Sequence, residues 1–421
     1  LDITLPVKRL IKKFQGKQRT LFISLIGGMT GVLLFDNCKI NTMDFNISKT
    51  QTLFRQMIRE FAEKEVKPLA AEVDELERFP IETVEKMAKI GLMGIPIPVK
   101  YGGAGGDNLL YAMAVEELSR ACGTTGVIVS AHTSLCAAPI LEFGNEDQKQ
   151  KYLPGLASGK IIGAFGLTEP NAGTDASAQQ TTAIVTEGGY ILNGSKIFIT
   201  NAEYAGVYII MAMTDKSKGT KGISAFIVEK ETKGFSIGKK EKKMGIRGSA
   251  TCELIFENCF IPSQQLLGKV GDGFSIAMKT LDGGRIGIAA QALGLAQGAL
   301  SETVKYVKER KQFGKPLSAF QNTQFQLADM ETKVQAARML VYKAAWKKSQ
   351  GISYSADAAM AKLYAAEIAM EVTTKAVQLH GGYGYTREYP IERMMRDAKI
   401  TEIYEGTSEV QRMVISAMLL K

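Results

Sequence analysis

The chain has 421 residues, 45% hydrophobic and 23% charged, an ordinary soluble composition long enough for two or three domains with cores of their own. Two histidines, His132 and His380, argue against histidine-rich metal sites and a Ser-His-Asp triad; five cysteines, Cys38, Cys122, Cys136, Cys252 and Cys259, without a C-x-x-C pair argue against a zinc site or a disulfide framework and fit a reducing compartment. Of the net charge of +9, residues 1–42 carry +5, so the rest of the chain is nearly balanced and makes no case for a nucleic-acid-binding domain.

Residues 1–42 look foreign to the rest of the chain. The basic stretch "VKRLIKKFQGKQR" precedes the apolar "LFISLIGGMTGVLLF" at 21–35, which falls short of the roughly 20 residues of a membrane span. Three readings stand: a cleaved targeting peptide, a membrane-surface anchor, or sequence upstream of a natural start at Met43. The third is preferred, and the segment is set aside as an extension outside the fold.

After Met43, Leu53, Phe54, Met57, Ile58, Phe61 and Ala62 repeat at helix spacing until Pro68 ends or bends the run. "IETVEKMAKIGLMGIP" and "NLLYAMAVEELSRACG" predict further helices. The glycine-rich "YGGAGGD" between them is no dinucleotide fingerprint, because no strand precedes it and its spacing is wrong. Near residue 161 the period changes. "TTAIVT", Gly188-Gly189, "YIL", Asn193-Gly194 and "KIFIT" predict strand, turn, strand, turn, strand. "VYIIMAM", "GISAFIV" and "CELIFENCFI" carry the β character to about residue 261. Helices return near residue 275, beginning with a helix rich in small residues, "GGRIGIAAQALGLAQGAL", that can pack closely on neighbours or on a flat ligand. The expected organisation is a helical domain (43–160), a β domain (161–274) and a second helical domain (275–421). Strands without alternating helices exclude a Rossmann fold.

Single residues say little by themselves. Glu405, before Gly406 at a helix break, reads as a solvated charge, and Thr407 or Ser408 as the cap of the next helix. Asp282 and Arg285 read as a local ion pair, Arg310 as a surface charge, "HGGYGY" as a helix-ending loop and "KIFIT" as an ordinary strand.

Five blocks in order change this: "FGLTEPNAGTDAS" (165–177), "NGSKIFITNA" (193–202), "ERKQFGKPLSAFQ" (309–321), "QLHGGYGY" (378–385) and "MRDAKITEIYEGTSEVQR" (395–412). With the α–β–α order, they resemble the acyl-CoA dehydrogenase family over essentially all of 43–421, and within it the short-chain (butyryl-CoA) dehydrogenases of clostridial type. The resemblance implies an α+β fold: an N-terminal helical domain, a β-barrel-like middle domain and a C-terminal four-helix bundle. It implies FAD as cofactor and no metal.

By the same resemblance, a carboxylate removes the α-proton of an acyl-CoA thioester while the β-hydrogen leaves as hydride to the flavin. Glu405 matches the base, with Tyr404 and Gly406 beside the substrate. Some relatives carry the base on another helix, and Gly284 in "TLDGGRIG" holds that place here, where no base is possible. Phe165, Leu167, Thr168, Phe198, Ile199 and Thr200 match residues along the flavin ring; many relatives have Trp where Phe198 stands. Arg310, Gln312 and Phe313 match residues reaching the adenosine diphosphate of FAD across a subunit interface, with Gln378, Gly381 and Gly382 completing that site. Thr407 and Glu409 fall on its adenosine side, though many relatives have Gln at the latter. Thr174, Asp282 and Arg285 match groups along CoA.

The implied protein is a homotetramer interconverting butyryl-CoA and crotonyl-CoA, exchanging electrons with an electron-transfer flavoprotein. Its expected location is cytoplasmic, or the mitochondrial matrix if residues 1–42 are a transit peptide. An acyl-CoA oxidase, a dehydrogenase of other chain length and a non-catalytic flavin-binding electron carrier are the alternatives. The last has no use for Glu405.

Overall fold

The computed structural model describes residues 47–420 and, in a separate unit, two short strands, β1 (Leu21–Ser24) and β2 (Thr30–Leu33), which pair with each other antiparallel. What is expected of residues 1–42 otherwise lies outside the described residues. The run after Met43 forms α1 (Lys49–Phe61), started by a capping box: the Ser48 hydroxyl accepts from the Gln51 N–H and the Gln51 side chain accepts from the Ser48 N–H. Only part of the expected apolar stripe faces inward, since Ile58 is buried while Leu53 and Met57 are exposed. Pro68 sits in a tight turn, Lys67–Leu69, where the run breaks. Short helices α2 (Ala70–Glu75) and α3 (Ile81–Lys89) lead to α4 (Asn108–Ala121), which Asp107 caps.

A buried polar network ties α1 to α4. Arg55 donates to Glu116 and Glu117, and Arg59 to Glu117; Arg338 and Tyr342, from the C-terminal helices, also donate to Glu116. Two adjacent carboxylates without exposed surface are tolerable only with such donors. After α4 the chain runs through α5 (Gly123–Ser130), a π-helical stretch (Ala131–Ala137), α6 (Ala138–Phe143) and α7 (Glu146–Ala157). The first three make one apolar rod, largely buried, and such π-helical stretches recur at functional sites.

The β region starts with β3 (Ile162–Gly166) and continues through β4 (Thr182–Thr186), β5 (Gly189–Thr200), β6 (Ala205–Met213), β7 (Ile223–Glu229), β8 (Phe235–Lys240), β9 (Thr251–Pro262) and β10 (Leu266–Leu267). Their order in the sheet is β10-β7-β6-β4-β5-β9-β8, with β3 parallel to β6. The end strands do not pair with each other, yet the sheet curls on itself: Tyr208 of β6 meets Phe235 of β8 with ring centroids 4.8 Å apart, four positions along the order.

Gly188-Gly189 makes the expected turn between β4 and β5, but Asn193-Gly194 does not. It lies inside the unbroken β5, where the register against β9 shifts between Leu192 and Gly194. The glycine serves close approach rather than reversal: at φ 140°, a Cβ there would meet Thr181 at 2.7 Å.

The C-terminal part has α8 (Gly273–Glu309), a two-strand turn β11 (Lys311–Gln312) and β12 (Lys315–Pro316), α9 (Gln321–Ser349), α10 (Ser355–His380), α11 (Ile391–Lys399) and α12 (Ser408–Leu419). The two helical regions are not separate bodies. One apolar core contains Ile58 of α1, Met113 of α4, Leu293 of α8, Val341 of α9 and Ala365 of α10. The small residues of α8 make this possible. A Cβ at Gly294 would lie 2.3 Å from the Glu116 carbonyl, and one at Gly298 2.4 Å from that of Arg120, so α8 and α4 meet nearly backbone to backbone.

Candidate active site

The other glycines of α8 do a different job. Beyond α11, Glu405 (φ 54°) and Gly406 (φ 91°) are left-handed in succession before Thr407 caps α12 by accepting from the Val410 N–H. A left-handed glutamate is uncommon and points to a functional constraint. This turn brings the carboxylate against α8 where α8 has no side chain: a Cβ on Gly284 would stand 2.0 Å from Glu405 Oε2 and 2.8 Å from a methyl of Leu135 in the π-helical stretch. The Oε2 atom is buried and has no hydrogen-bond partner among the described residues. Burial pushes the Glu405 pKa up to about 8 against the opposing pull of Lys362 and then Arg285. The group can therefore hold or release a proton near neutrality.

Arg285 and Asp282 form the ion pair that their spacing suggests, with Nη1 donating to Oδ1 at 2.6 Å, and the Ser355 hydroxyl also donates to Asp282. Arg285 is buried and paired with Asp282 through Nη1, and its buried Nε has no hydrogen-bond partner among the described residues. The Tyr404 hydroxyl is likewise taken, donating to Gln291, whose amide donates to the Gly123 carbonyl. Tyr404 can meet a substrate with its ring alone. Thr174 is exposed in the loop after β3, and no described contact joins it to Glu405.

Two residues not singled out from sequence belong here. Lys362 of α10 donates to the Gly406 carbonyl at 2.7 Å. Tyr111 of α4 lies with its hydroxyl 3.3 Å from Ser130 Oγ, and a Cβ on Gly287 would meet those two oxygens at 2.5 and 2.3 Å respectively. Gly287 is three residues past Gly284, about 4.5 Å along the helix. A buried tyrosine thus lies against α8 about one turn on from Glu405. Neither residue had a local signal: a lysine among alanines and a tyrosine in an apolar helix are ordinary until their neighbours are known.

A second group lies on β3 and β5. The strap after β3 is held down by Lys196, fully buried, which donates to the Leu167 carbonyl at 3.1 Å, Glu169 at 2.6 Å and Gln179 at 3.1 Å. The Ile197 N–H donates to the Thr168 carbonyl at 2.9 Å, so Phe165, Leu167 and Thr168 line up beside β5. In β5 the register shifts again between Lys196 and Ile199, and Phe198 adopts φ 59° with 60% of its surface exposed. Thr200 stays half-buried. Ile199 departs from expectation. Its side chain is in the sheet's own core with Tyr208 and Leu254, so it offers a ligand only backbone; the shift that turns Phe198 outward turns Ile199 inward.

A third group surrounds a cavity of about 480 Å³ lined by Arg310, Gln312, Gln378, Gly381, Gly382 and Tyr383. Cβ atoms at either glycine would meet nothing within 4 Å, which leaves the backbone open to a close-approaching anion. Phe313 projects from the β11–β12 turn with 92% of its surface exposed. Glu409 is exposed on the first turn of α12, and the Thr407 hydroxyl is already engaged as the cap; neither lines this cavity.

Known proteins resemble this chain along its length. Residues 48–160, 164–259 and 271–420 match the family models of the acyl-CoA dehydrogenase N-terminal, middle and C-terminal domains. The chain is 65% identical over 379 residues to a short-chain specific acyl-CoA dehydrogenase of Clostridium acetobutylicum, covering 90% of this chain and all of that one. It is 54% identical to the butyryl-CoA dehydrogenase of Megasphaera elsdenii, whose solved structure superposes with a TM-score of 0.89 over 90% of this chain and all of that one. A chain solved in work on the electron transferring flavoprotein of Acidaminococcus fermentans and flavin-based electron bifurcation is 58% identical, with a TM-score of 0.89 and the same coverage.

Proposed function

The chain belongs to the acyl-CoA dehydrogenase family of FAD-dependent oxidoreductases, and on that premise we propose that it interconverts short-chain acyl-CoA and trans-2-enoyl-CoA thioesters, four-carbon ones foremost, with Glu405 as general base. The observation that carries this is a half-buried glutamate whose buried Oε2 has no hydrogen-bond partner among the described residues, held by a left-handed turn against a helix stripped of side chain at Gly284.

The residues present fit FAD. An outward Phe198 beside Thr200 offers a surface for a flat ring, and the open glycines of the Arg310 cavity suit a pyrophosphate. Bound there, FAD supplies the two-electron acceptor. This chain's own residues handle the proton. Glu405 takes it from the carbon next to the thioester carbonyl, and its high pKa matches it to so weak an acid. The backbone N–H of a residue in this turn is suited to the thioester oxygen as charge develops there. Gly284 and Gly287 make room for the acyl chain, and Leu135, Ser130 and Tyr111 exclude water around it. With Tyr111 about one helical turn beyond the carboxylate, a short acyl chain fills the space.

An electron-transferring flavoprotein as redox partner is supported by the likeness to the chain from the Acidaminococcus work. A homotetramer is supported by large apolar residues left exposed, Phe313, Phe325, Leu419 and Leu420 among them. A cytoplasmic location remains the expectation from cysteine usage. Steady-state assays across C4 to C16 acyl-CoAs, with and without the flavoprotein partner, test the function. Turnover of butyryl-CoA that requires the partner is expected; equal turnover with oxygen alone would make the protein an oxidase.

A further inference from the structure

Lys362 is a charge for which neither the motifs nor the proton step accounts. It lies on α10 among alanines, and none of its surface is exposed. Its hydrogen bond to the Gly406 carbonyl is at 2.7 Å, and among the described residues no carboxylate pairs with it. Lys196, equally buried, has Glu169 at 2.6 Å. An ammonium taken out of water without a carboxylate partner is costly, and persists where its field serves something.

The charged groups that act on Lys362 are few. Burial lowers the Lys362 pKa to about 8; against it Glu405, Glu402 and Glu409 favour the charge, while Arg285 opposes it. Glu402 is engaged by Lys399 at 2.6 Å, and Glu409 is exposed to solvent. Arg285 is compensated by Asp282. Tyr111 and Tyr404, neutral hydroxyls, complete the titratable surroundings of Glu405. Of these groups, Lys362 and Glu405 are the two non-exposed ones without an ion-pair partner among the described residues, and a single residue of backbone joins the lysine's hydrogen bond to the base.

We infer that Lys362 is a positioning residue for proton abstraction: its ammonium holds the Gly406 carbonyl, and its charge allows the Glu405 carboxylate to exist as an anion in a dry site. The inference rests on the reading of Glu405 as base. The two contributions can be separated, because Gln411 also donates to the Gly406 carbonyl, at 2.8 Å. With Lys362 replaced by a neutral side chain, Gln411 keeps the turn in place and the field alone is lost. Removing a cation near a carboxylate raises the carboxylate's pKa. The base is then ionised only at higher pH, and the acid limb of the proton-transfer rate moves upward.

The test uses FAD-loaded holoenzyme and (methylthio)acetyl-CoA, an isostere of butyryl-CoA with sulfur in place of the β-carbon. It has α-protons but no β-hydrogen, so exchange of its α-protons with D2O, followed by mass spectrometry, reads proton abstraction without redox chemistry. Across pH 6 to 9.5, Lys362→Met should move the acid limb up by roughly one unit, about tenfold slower exchange below both limbs, with the plateau largely kept. Lys362→Arg, which stays charged across this range, should not move the limb up. Lys362→Gln, which can still donate to Gly406, should behave as Met does, and serves if the Met variant loses flavin or folding. A limb unmoved in both neutral variants overturns the inference, even if the rate falls uniformly, as does a limb displaced upward in Lys362→Arg. Exchange that persists undiminished in Glu405→Gln would instead remove the base on which the inference rests.

Discussion

One added methyl group probes the whole arrangement. In Gly284→Ala the new Cβ would stand 2.0 Å from Glu405 Oε2, 2.9 Å from its carboxyl carbon and 2.8 Å from Leu135 Cδ2. Non-bonded heavy atoms settle near 3.5–4.0 Å, so the carboxylate must retreat by about 1 Å or more. A misplacement of ~1 Å can cost roughly 10²-fold in rate, or about 2.7 kcal/mol of transition-state stabilisation. Overpacking costs about 1–3 kcal/mol of stability, of which alanine's better helix propensity returns up to about 1 kcal/mol. The closest collision is with Glu405 itself, so the destabilisation should largely vanish in a Glu405→Gly background, where a Leu135 methyl at 2.8 Å must still yield. The assays are butyryl-CoA dehydrogenation at matched flavin occupancy and thermal midpoints of the four proteins of the cycle at equal FAD concentration. Wild-type turnover in Gly284→Ala, or an equal fall in midpoint in both backgrounds, would refute the placement of Glu405 against α8.

Glu405→Gln should keep its flavin and lose about 10²–10⁴-fold in turnover. It should also lose a pH dependence. The folded wild type holds the Glu405 proton up to about pH 8, more tightly than the unfolded chain, so its stability falls as pH rises from the ordinary glutamate range to that value; thermal midpoints of the two proteins across that window check the difference. In a Glu405→Gly background, Gly284→Glu should recover part of the activity, since its side chain starts in the space the carboxylate vacates; a folded, flavin-loaded double variant no better than the single one on any chain length counts against this. Arg310→Ala should lower the flavin-to-protein ratio, and gel filtration should show weakened assembly if the FAD it meets belongs to another subunit. Tyr111→Ala should raise relative turnover of hexanoyl-CoA and octanoyl-CoA against butyryl-CoA; an unchanged ratio would show that Tyr111 does not limit the acyl chain.

The order of elements and the place of the candidate base were legible in the sequence, because both leave local marks. Hydrophobic period separated helix from strand, and five motif blocks in order carried the family, FAD and Glu405. A glycine after Glu405 signalled a special backbone, which the two left-handed residues provide. What the sequence left open depends on which surfaces meet. The small residues of α8 admitted both close packing and a ligand, and only the fold divides them: Gly294 and Gly298 receive the backbone of α4, while Gly284 and Gly287 face Glu405 and the Tyr111 and Ser130 hydroxyls. Asn193-Gly194 carries the composition of a turn, yet strand β9 pairs across it and Thr181 presses on it, so it becomes a bulge. Ile199 and Phe198 exchange faces through a register shift that no alternation pattern predicts. Lys362, Lys196 and Tyr111 are 44, 29 and 19 residues from the groups they hold, and a side chain's partner at such range is decided by tertiary packing, which also sets the burial that raises the pKa of Glu405.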